Sequence, residues 1–250
     1  MSQQISLMKL FELGAHRGNA KSKLNSRLSR FIHSNKNGIS IIDLVKTIDQ
    51  IEKAASFMYS IGQKKGQVLL VATSQHIKHL TPELSNTFVG SSMPYINNRW
   101  LGGTLTNWLT IKKTLKTLAK LESIEENKDF FNKLAKNEQL RIKKQKSKIS
   151  KFFDGLRTLK SNHPKALLIL DVEANPIAVK EANVNKIPVI GLTNTKVSIL
   201  PKSLATIIPC NTNSVSSISF ITEYLIESYN EGLKATVMEQ TNKVNEKVKS

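Results

Sequence analysis

The sequence predicts a parallel α/β domain interrupted by a long helical hairpin, and three observations carry that expectation. The apolar runs at residues 68–72 (VLLVA) and 166–170 (ALLIL) are short and rich in Val, Ile and Leu, as strands buried on both faces are. Segments with apolar residues every three or four positions alternate with such runs, which is the pattern of strand and helix in parallel sheets. Between residues 104 and 156 the alternation stops, and two Lys-rich helical stretches follow one another.

Taken in order, residues 5–13 place Leu7, Leu10 and Phe11, or Met8 and Phe11, on one helical face, and Gly14 ends the segment as a C-terminal cap does. From Gly14 to Gly38 periodicity disappears, and Gly18, Asn25, Asn35 and Asn37 add turn chemistry, so an extended loop is expected. That loop carries Arg17, Lys21, Lys23, Arg27 and Arg30. Residues 39–42 (ISII) form a short strand opening the alternation, and Asp43 leads a helix to about Gly62 with Val45, Ile48, Ile51, Ala55 and Met58 facing inward. Residues 67–73 are the next strand, 75–84 a helix opened by Ser74, and 95–96 a third short strand.

After Gly102 and Gly103, Trp108, Ile111, Leu115 and Leu118 recur at helical spacing. A break at 123–127 precedes a second helical stretch whose apolar positions are Phe130, Phe131, Leu134, Ile142, Ile149, Phe152, Phe153 and Leu156. Two such helices make an antiparallel hairpin whose apolar stripe is mostly internal. Its second arm holds Arg141, Lys143, Lys144, Lys146, Lys148 and Lys151 with no acid among them. Strands at 166–170, 189–192 and 206–208 then resume the alternation, with helices at 177–183 and 216–230. The expected division is an N-terminal helix and basic loop (1–38), an α/β domain (39–103 and 157–232), the hairpin insert (104–156) and a mobile charged tail (233–250).

Composition narrows the function. The chain has 37 Lys and Arg against 19 Asp and Glu, a formal charge of +18, which points to a polyanion, nucleic acid before an anionic membrane. A membrane span needs an apolar run of roughly 18 residues, and the sequence has none. A lone cysteine, Cys210, excludes a disulfide framework and a Cys-based zinc cluster, and is expected to be a small buried hydrophobe. The N-terminus has no secretory pattern and no Arg- and Ser-rich presequence, so a protein working in an organelle is expected to have been made there. Heavy use of Lys, Asn and Ile reads as AT-rich coding.

No catalytic constellation is expected. Neither GxGxxG nor GxxxxGK[ST] occurs, and Gly102-Gly103 reads as a structural turn. Asp43 and Asp171 lie where α/β enzymes place carboxylates, but each is equally placed to cap the following helix. The five histidines include no metal-binding spacing, so neither a metal nor a cofactor is expected. The alternatives are a nucleotide- or sugar-phosphate-dependent α/β enzyme using Asp43 or Asp171, and a free RNA-binding regulator.

The basic groups favour RNA. A long cationic loop costs conformational entropy unless a partner orders it, and phosphate accepts from Arg, Lys, Asn and Ser alike. Residues 95–108, YINNRWLGGTLTNW, gather rings, amides and a guanidinium around a Gly pair. They form either a packed turn with Trp100 plugging the core edge or an RNA platform on which Arg99 or Asn97 reaches phosphate or 2′-OH groups.

That segment resembles the hallmark of the small-subunit ribosomal protein S2 family, which carries Tyr-Val-Asn-x-Arg-Trp-Leu-Gly-Gly-x-Leu-Thr-Asn here. Further matches follow in order: Gly14, His16 and Gly18 with Asn25, then Asn37-Gly38-Ile39 and Ile41-Ile42-Asp43-Leu44. Asp171-Val172, residues 177–183 (IAVKEAN), Ile187-Pro188-Val189 and Ile208-Pro209 with Asn211 complete a resemblance from about Leu7 to Tyr229.

The resemblance implies a flavodoxin-like, three-layer domain with a coiled-coil hairpin, bound to small-subunit rRNA and neighbouring ribosomal proteins between head and body, with no membrane or small-molecule substrate. The candidate rRNA contacts, read from the cationic residues themselves, are Arg17, Lys21, Lys23, Asn25, Arg27 and Arg30 in the loop. Asn97, Arg99 and Trp100 follow in the motif, Asn107, Lys112 and Lys113 at the start of the hairpin, and Arg141, Lys143 and Lys144 on its second arm. The chain departs from the family at Arg17, Asn19 and Ser26, and at 194–198 and 211–213, where family acids are replaced. Such departures, with the AT-rich usage, imply an organelle-encoded member, mitochondrial before plastid or bacterial.

Overall fold

A computed structural model of the chain describes residues 5–89, 93–161, 163–198 and 204–249; residues 1–4 and 250, the ends of the two expected terminal segments, lie outside it. Five strands, β4 (Val68–Val71), β5 (Tyr95–Ile96), β6 (Ala166–Ile169), β7 (Val189–Thr193) and β8 (Leu204–Pro209), form a parallel sheet. Their order is β5-β4-β6-β7-β8. Successive strand residues face opposite sides of this sheet. Val68, Leu70, Leu168 and Ile190 enter one core with Ile51, Met58, Ile221 and Leu225, while Leu69, Val71, Leu167 and Ile169 enter another with Ala178, Val179 and Ala182. Helices α2 (Leu44–Gln63) and α8 (Val215–Lys249) cover the first face and α7 (Pro176–Val184) the second.

Glycine allows the α2–α8 contact. A Cβ on Gly62 would sit 2.1 Å from the carbonyl oxygen of Tyr229, and one on Gly232 would sit 2.1 Å from that of Tyr59. Tyr229 is buried between these helices, and its hydroxyl donates to the Gly66 carbonyl at 3.1 Å.

The N-terminal region differs from its expectation. Helix α1 (Leu7–Glu12) is present, and Gly14, at φ +72°, ends it. Residues 14–38, expected as an extended loop, instead hold β1 (Arg17–Ala20), two 3-10 turns at Lys21–Lys23 and Ser26–Phe31, and β2 (Ile32–Lys36). With β3 (Ile39–Ile42) these make an antiparallel sheet in the order β1-β3-β2. The run at 39–42 therefore does not begin the parallel alternation. The cause is Asn37-Gly38, at φ +50° and +76°, a two-residue hairpin turn that folds β3 back on β2.

Helix phases also shift. Val45, expected inward, is 58% exposed, because Leu44 and Thr47 take the buried face. The helix expected over 75–84 starts later, as α3 (Leu80–Asn86). Pro82 would remove an interior hydrogen bond from the longer helix, whereas in α3 it falls in the first turn. The Lys-rich region forms three helices, α4 (Trp108–Glu126), α5 (Lys128–Lys133) and α6 (Lys136–Phe153). Asn127 separates the first two and accepts from the Phe130 N–H at 3.2 Å; Phe130 itself is exposed. The stripe is not confined to these helices, since Leu105, Ile111, Phe153 and Leu156 join the second core. At the other end of the chain, α8 continues to Lys249, so the backbone of the segment expected as a separate tail is helical.

Cys210 is buried, and burial, aided by the Asp171 charge, pushes its thiol up to about 12. Among the described residues no helix is long and apolar enough to cross a membrane.

Candidate nucleic-acid interface

The motif at 95–108 is built around a carboxylate that sequence reasoning did not single out. Helix α7 presents Glu181, which is buried and accepts from the Trp100 indole N–H at 3.0 Å. The same side chain takes the backbone N–H groups of Gly103 (2.8 Å), Leu105 (3.0 Å) and Thr106 (3.3 Å) and the Thr106 hydroxyl (3.3 Å). Gly103 sits at φ +89°, where only glycine is unstrained. The turn's N–H groups thus already hold an anion, the protein's own, and Gly102-Gly103 is no phosphate cradle.

Trp100 was expected to contact RNA. It is only 5% exposed, with its one donor spent on Glu181, so it anchors the turn from within. Asn97 and Arg99 follow β5, half-buried and exposed respectively. Next to them Asn98 donates to the Lys151 carbonyl at 2.5 Å, which ties the motif to α6. Asn107, exposed before α4, accepts from the Thr110 hydroxyl at 2.9 Å.

The N-terminal cations stand on a fixed scaffold. Arg17 lies on β1, Lys21 and Lys23 on the first 3-10 turn, and Arg27 and Arg30 on the second; all five are exposed. Residues 194–198, after β7, hold this scaffold. The Thr195 carbonyl accepts from the Asn25 N–H at 2.9 Å, the Thr195 hydroxyl from the Asn19 N–H at 2.8 Å, and the Val197 carbonyl from the Asn25 side chain at 2.7 Å. Asn25 also accepts from the Arg27 N–H at 2.9 Å. Its amide is therefore a clamp and not a free RNA contact. The segment is ordered by its own chain, against the expectation that it needs a partner for order. Gly18 belongs to this clamp, since a Cβ there would lie 2.6 Å from the Ser40 carbonyl oxygen.

His16 stacks on Phe11 with ring centroids 4.3 Å apart. Burial, then the neighbouring Arg17 charge, lowers its pKa, so the neutral ring is favoured.

On the Lys-rich helices, Lys112, Lys113, Arg141, Lys143 and Lys144 are exposed. Lys143 lies 5.5 Å over the Phe131 ring. Lys146 is set apart from the expected basic row, for it pairs with Glu125 of α4 at 2.6 Å. Arg157, just after α6, joins the last part of α4 with two bonds to Glu122 (2.7 and 2.6 Å) and makes one to Asp154 (2.6 Å). These bonds hold the Glu122 carboxyl below its ordinary range and raise Arg157.

Among the described residues, no ion pair includes Arg17, Lys21, Lys23, Arg27, Arg30, Arg99, Lys112, Lys113, Arg141, Lys143 or Lys144. The candidate carboxylates are committed elsewhere. Asp43 caps α2, accepting from the Val45 N–H at 3.1 Å. Asp171 does not cap α7, as had been expected; it accepts from the Ser74 hydroxyl at 2.8 Å and the Glu173 N–H at 3.2 Å, tying two sheet-edge turns together.

A profile of the family described as Ribosomal protein S2 matches residues 10–232, a span that includes Arg17, the motif and Glu181. The chain belongs to the ribosomal protein S2 family. It is 36% identical over 231 residues to the small ribosomal subunit protein uS2 of Parabacteroides distasonis, covering 92% of this chain and 81% of that protein. Proteins of the S2 family are structural parts of the ribosome and not enzymes, so neither Asp43 nor Asp171 is assigned a catalytic role.

Proposed function

We propose that this S2-family chain is a structural constituent of the small ribosomal subunit that holds rRNA through two sets of exposed cations, with neighbouring ribosomal proteins on its other surfaces. The observation that carries the reading is the row Arg17, Lys21, Lys23, Arg27 and Arg30, exposed on a scaffold pinned to residues 194–198. Five cations in no ion pair among the described residues, on a backbone already placed, are organised for phosphates, because the backbone loses little entropy on binding; Arg30 also lies 4.7 Å over the Phe31 ring. Arg99 and Asn97, on a turn made rigid by Glu181, position the domain, and Lys112, Lys113, Arg141, Lys143 and Lys144 extend contact along the helices.

In this reading residues 39–103 and 157–232 are a flavodoxin-like domain, since the strand order corresponds to 2-1-3-4-5 of that class. Residues 104–156 are a coiled-coil hairpin, 1–38 an rRNA-binding segment and 233–250 a charged tail. The protein lies between head and body of the subunit. The ribosome is an organelle's, mitochondrial before plastid, on the strength of the AT-rich residue usage and the replaced acids at 194–198 and 211–213.

The test is salt-dependent binding to an rRNA fragment. Replacing Arg17, Lys21, Lys23, Arg27 and Arg30 together with Gln is expected to weaken binding and flatten the log–log salt slope by about 0.7 to 0.9 per lost phosphate contact. Arg99→Lys keeps the charge but loses the planar fork, so affinity falls with little change of slope. Unchanged affinity and slope in a folded fivefold variant would make the row a solvated surface.

A further inference from the structure

At the carboxyl ends of β4, β5 and β6 the structure has a crevice of about 500 Å³. Its position follows from the topology. The chain passes from β4 outward to β5 and returns on the other side of β4 to β6, so the connections diverge there and leave a gap beyond the strand ends. Open parallel sheets bind ligands at such a reversal. The residues bordering the gap come from all three strand ends: Thr73 after β4, Asn97 and Arg99 after β5, and Asn175 before α7, with Lys151 and Phe152 of α6 closing one side.

The chemistry of this lining is uneven in a useful way. Arg99, Lys78 and Lys151 give it three cations, and no Asp or Glu lines it. Among the described residues none of the three is in an ion pair. Two of the polar groups are committed internally, since Thr73 donates to the Asn175 side-chain oxygen at 2.9 Å and Asn175 donates to the Asp171 carbonyl at 2.8 Å. Phe152, half-buried, and Ile177, 47% exposed, add apolar surface beside the cations. Glu181 does not line this site, and its oxygens face Trp100 and the turn behind it.

We propose that this crevice takes one unpaired nucleotide, its phosphate on Arg99, Lys78 and Lys151 and its base against Phe152. Cations beside a half-buried ring, with Lys151 Nζ already 5.8 Å over that ring, and an apolar wall suit the face of an unstacked base, whereas a duplex keeps its base faces stacked inside. The inference rests on the rRNA-binding reading and goes beyond it, because Arg99 then holds a splayed-out nucleotide in a pocket and not a helical backbone on a surface. A nucleoside phosphate reaches the pocket either within an RNA strand or as a free nucleotide.

Titration of the full-length protein with hexa-adenylate RNA, AMP and inorganic phosphate, followed by tryptophan emission, to which Trp100 beside the crevice contributes with Trp108, tests it. Hexa-adenylate is expected to bind saturably and AMP to displace it. Phe152→Ala should weaken hexa-adenylate and AMP about tenfold while leaving phosphate unchanged. Arg99→Gln should weaken all three, and Lys151→Gln serves if that variant does not fold. AMP binding as tightly as hexa-adenylate would support the pocket and identify a free nucleotide as its source. Binding of both nucleotide probes unaffected by Phe152→Ala and by the cation variants would overturn the proposal. The rRNA reading is tested separately, because the fivefold N-terminal variant leaves the crevice intact.

Discussion

Glu181 accepts the indole N–H of Trp100 at 3.0 Å, and the two residues fix the motif turn to helix α7. The carboxylate is buried and has further donors at Gly103, Leu105 and Thr106, so its charge is answered by N–H groups and a hydroxyl rather than by a cation. Glu181→Gln would aim an amide at N–H donors. It should cost about 1 to 3 kcal/mol, the usual penalty for leaving buried groups unsatisfied. A lowered urea midpoint with Trp emission shifted to the red is the expected outcome; an unchanged midpoint would mean that the turn does not depend on this carboxylate.

The α2–α8 seam should be intolerant of a single methyl. Gly62→Ala gains about 1 kcal/mol of helix propensity. Against that, its Cβ meets a backbone carbonyl oxygen that no rotamer change can move. Overpacking of this kind costs about 1 to 3 kcal/mol or more. The net effect expected is a lower unfolding midpoint for Gly62→Ala and for Gly232→Ala, and a raised midpoint would contradict the close helix approach.

Much of this arrangement was legible in the sequence, and the misses have physical reasons. Runs such as VLLV and ALLI declare buried parallel strands because both faces are covered. Asn37-Gly38 was an equally local signal for a hairpin, but the charged, irregular run before it concealed β1 and β2, whose residues are mostly exposed and show no alternation. Val45 was misplaced because two overlapping apolar stripes fit α2, and burial of Leu44 chose between them. Asn25 and Trp100 were assigned to RNA, although their side chains serve the fold. Their partners, Val197 and Glu181, lie 172 and 81 residues away, a distance that spacing arguments do not reach. Glu181 carried a faint signal only, as the one acid in the apolar stretch IAVKEAN.

His16 gives the fold a pH dependence. Its folded pKa lies below the unfolded value of about 6.5, so as pH falls through that value the unfolded chain takes the proton first. The contribution of His16 is therefore present at neutral and higher pH and is lost as pH falls toward its folded pKa. Unfolding free energies of His16→Gln should decline less than those of the parent between pH 7 and about 5. Parallel declines would show that the ring's burial contributes nothing.

The outer part of the Lys-rich helices should be removable. Leu118, Leu121 and Phe131 are buried but belong to neither core, whereas Leu105, Ile111 and Phe153 belong to the second one. Replacing residues 123–145 by a flexible linker, which keeps the Glu122–Arg157 bonds, should leave a soluble, cooperatively unfolding α/β domain that joins ribosomal subunits poorly. An insoluble product would show that these residues support the core.

The most direct test is where the protein sediments in its own host. On a sucrose gradient of a native extract, it should migrate with the small ribosomal subunit, and the Arg17, Lys21, Lys23, Arg27 and Arg30 variant should move toward the top as free protein. Parent protein found at the top, with small subunits intact and lacking it, would contradict a role as their structural constituent.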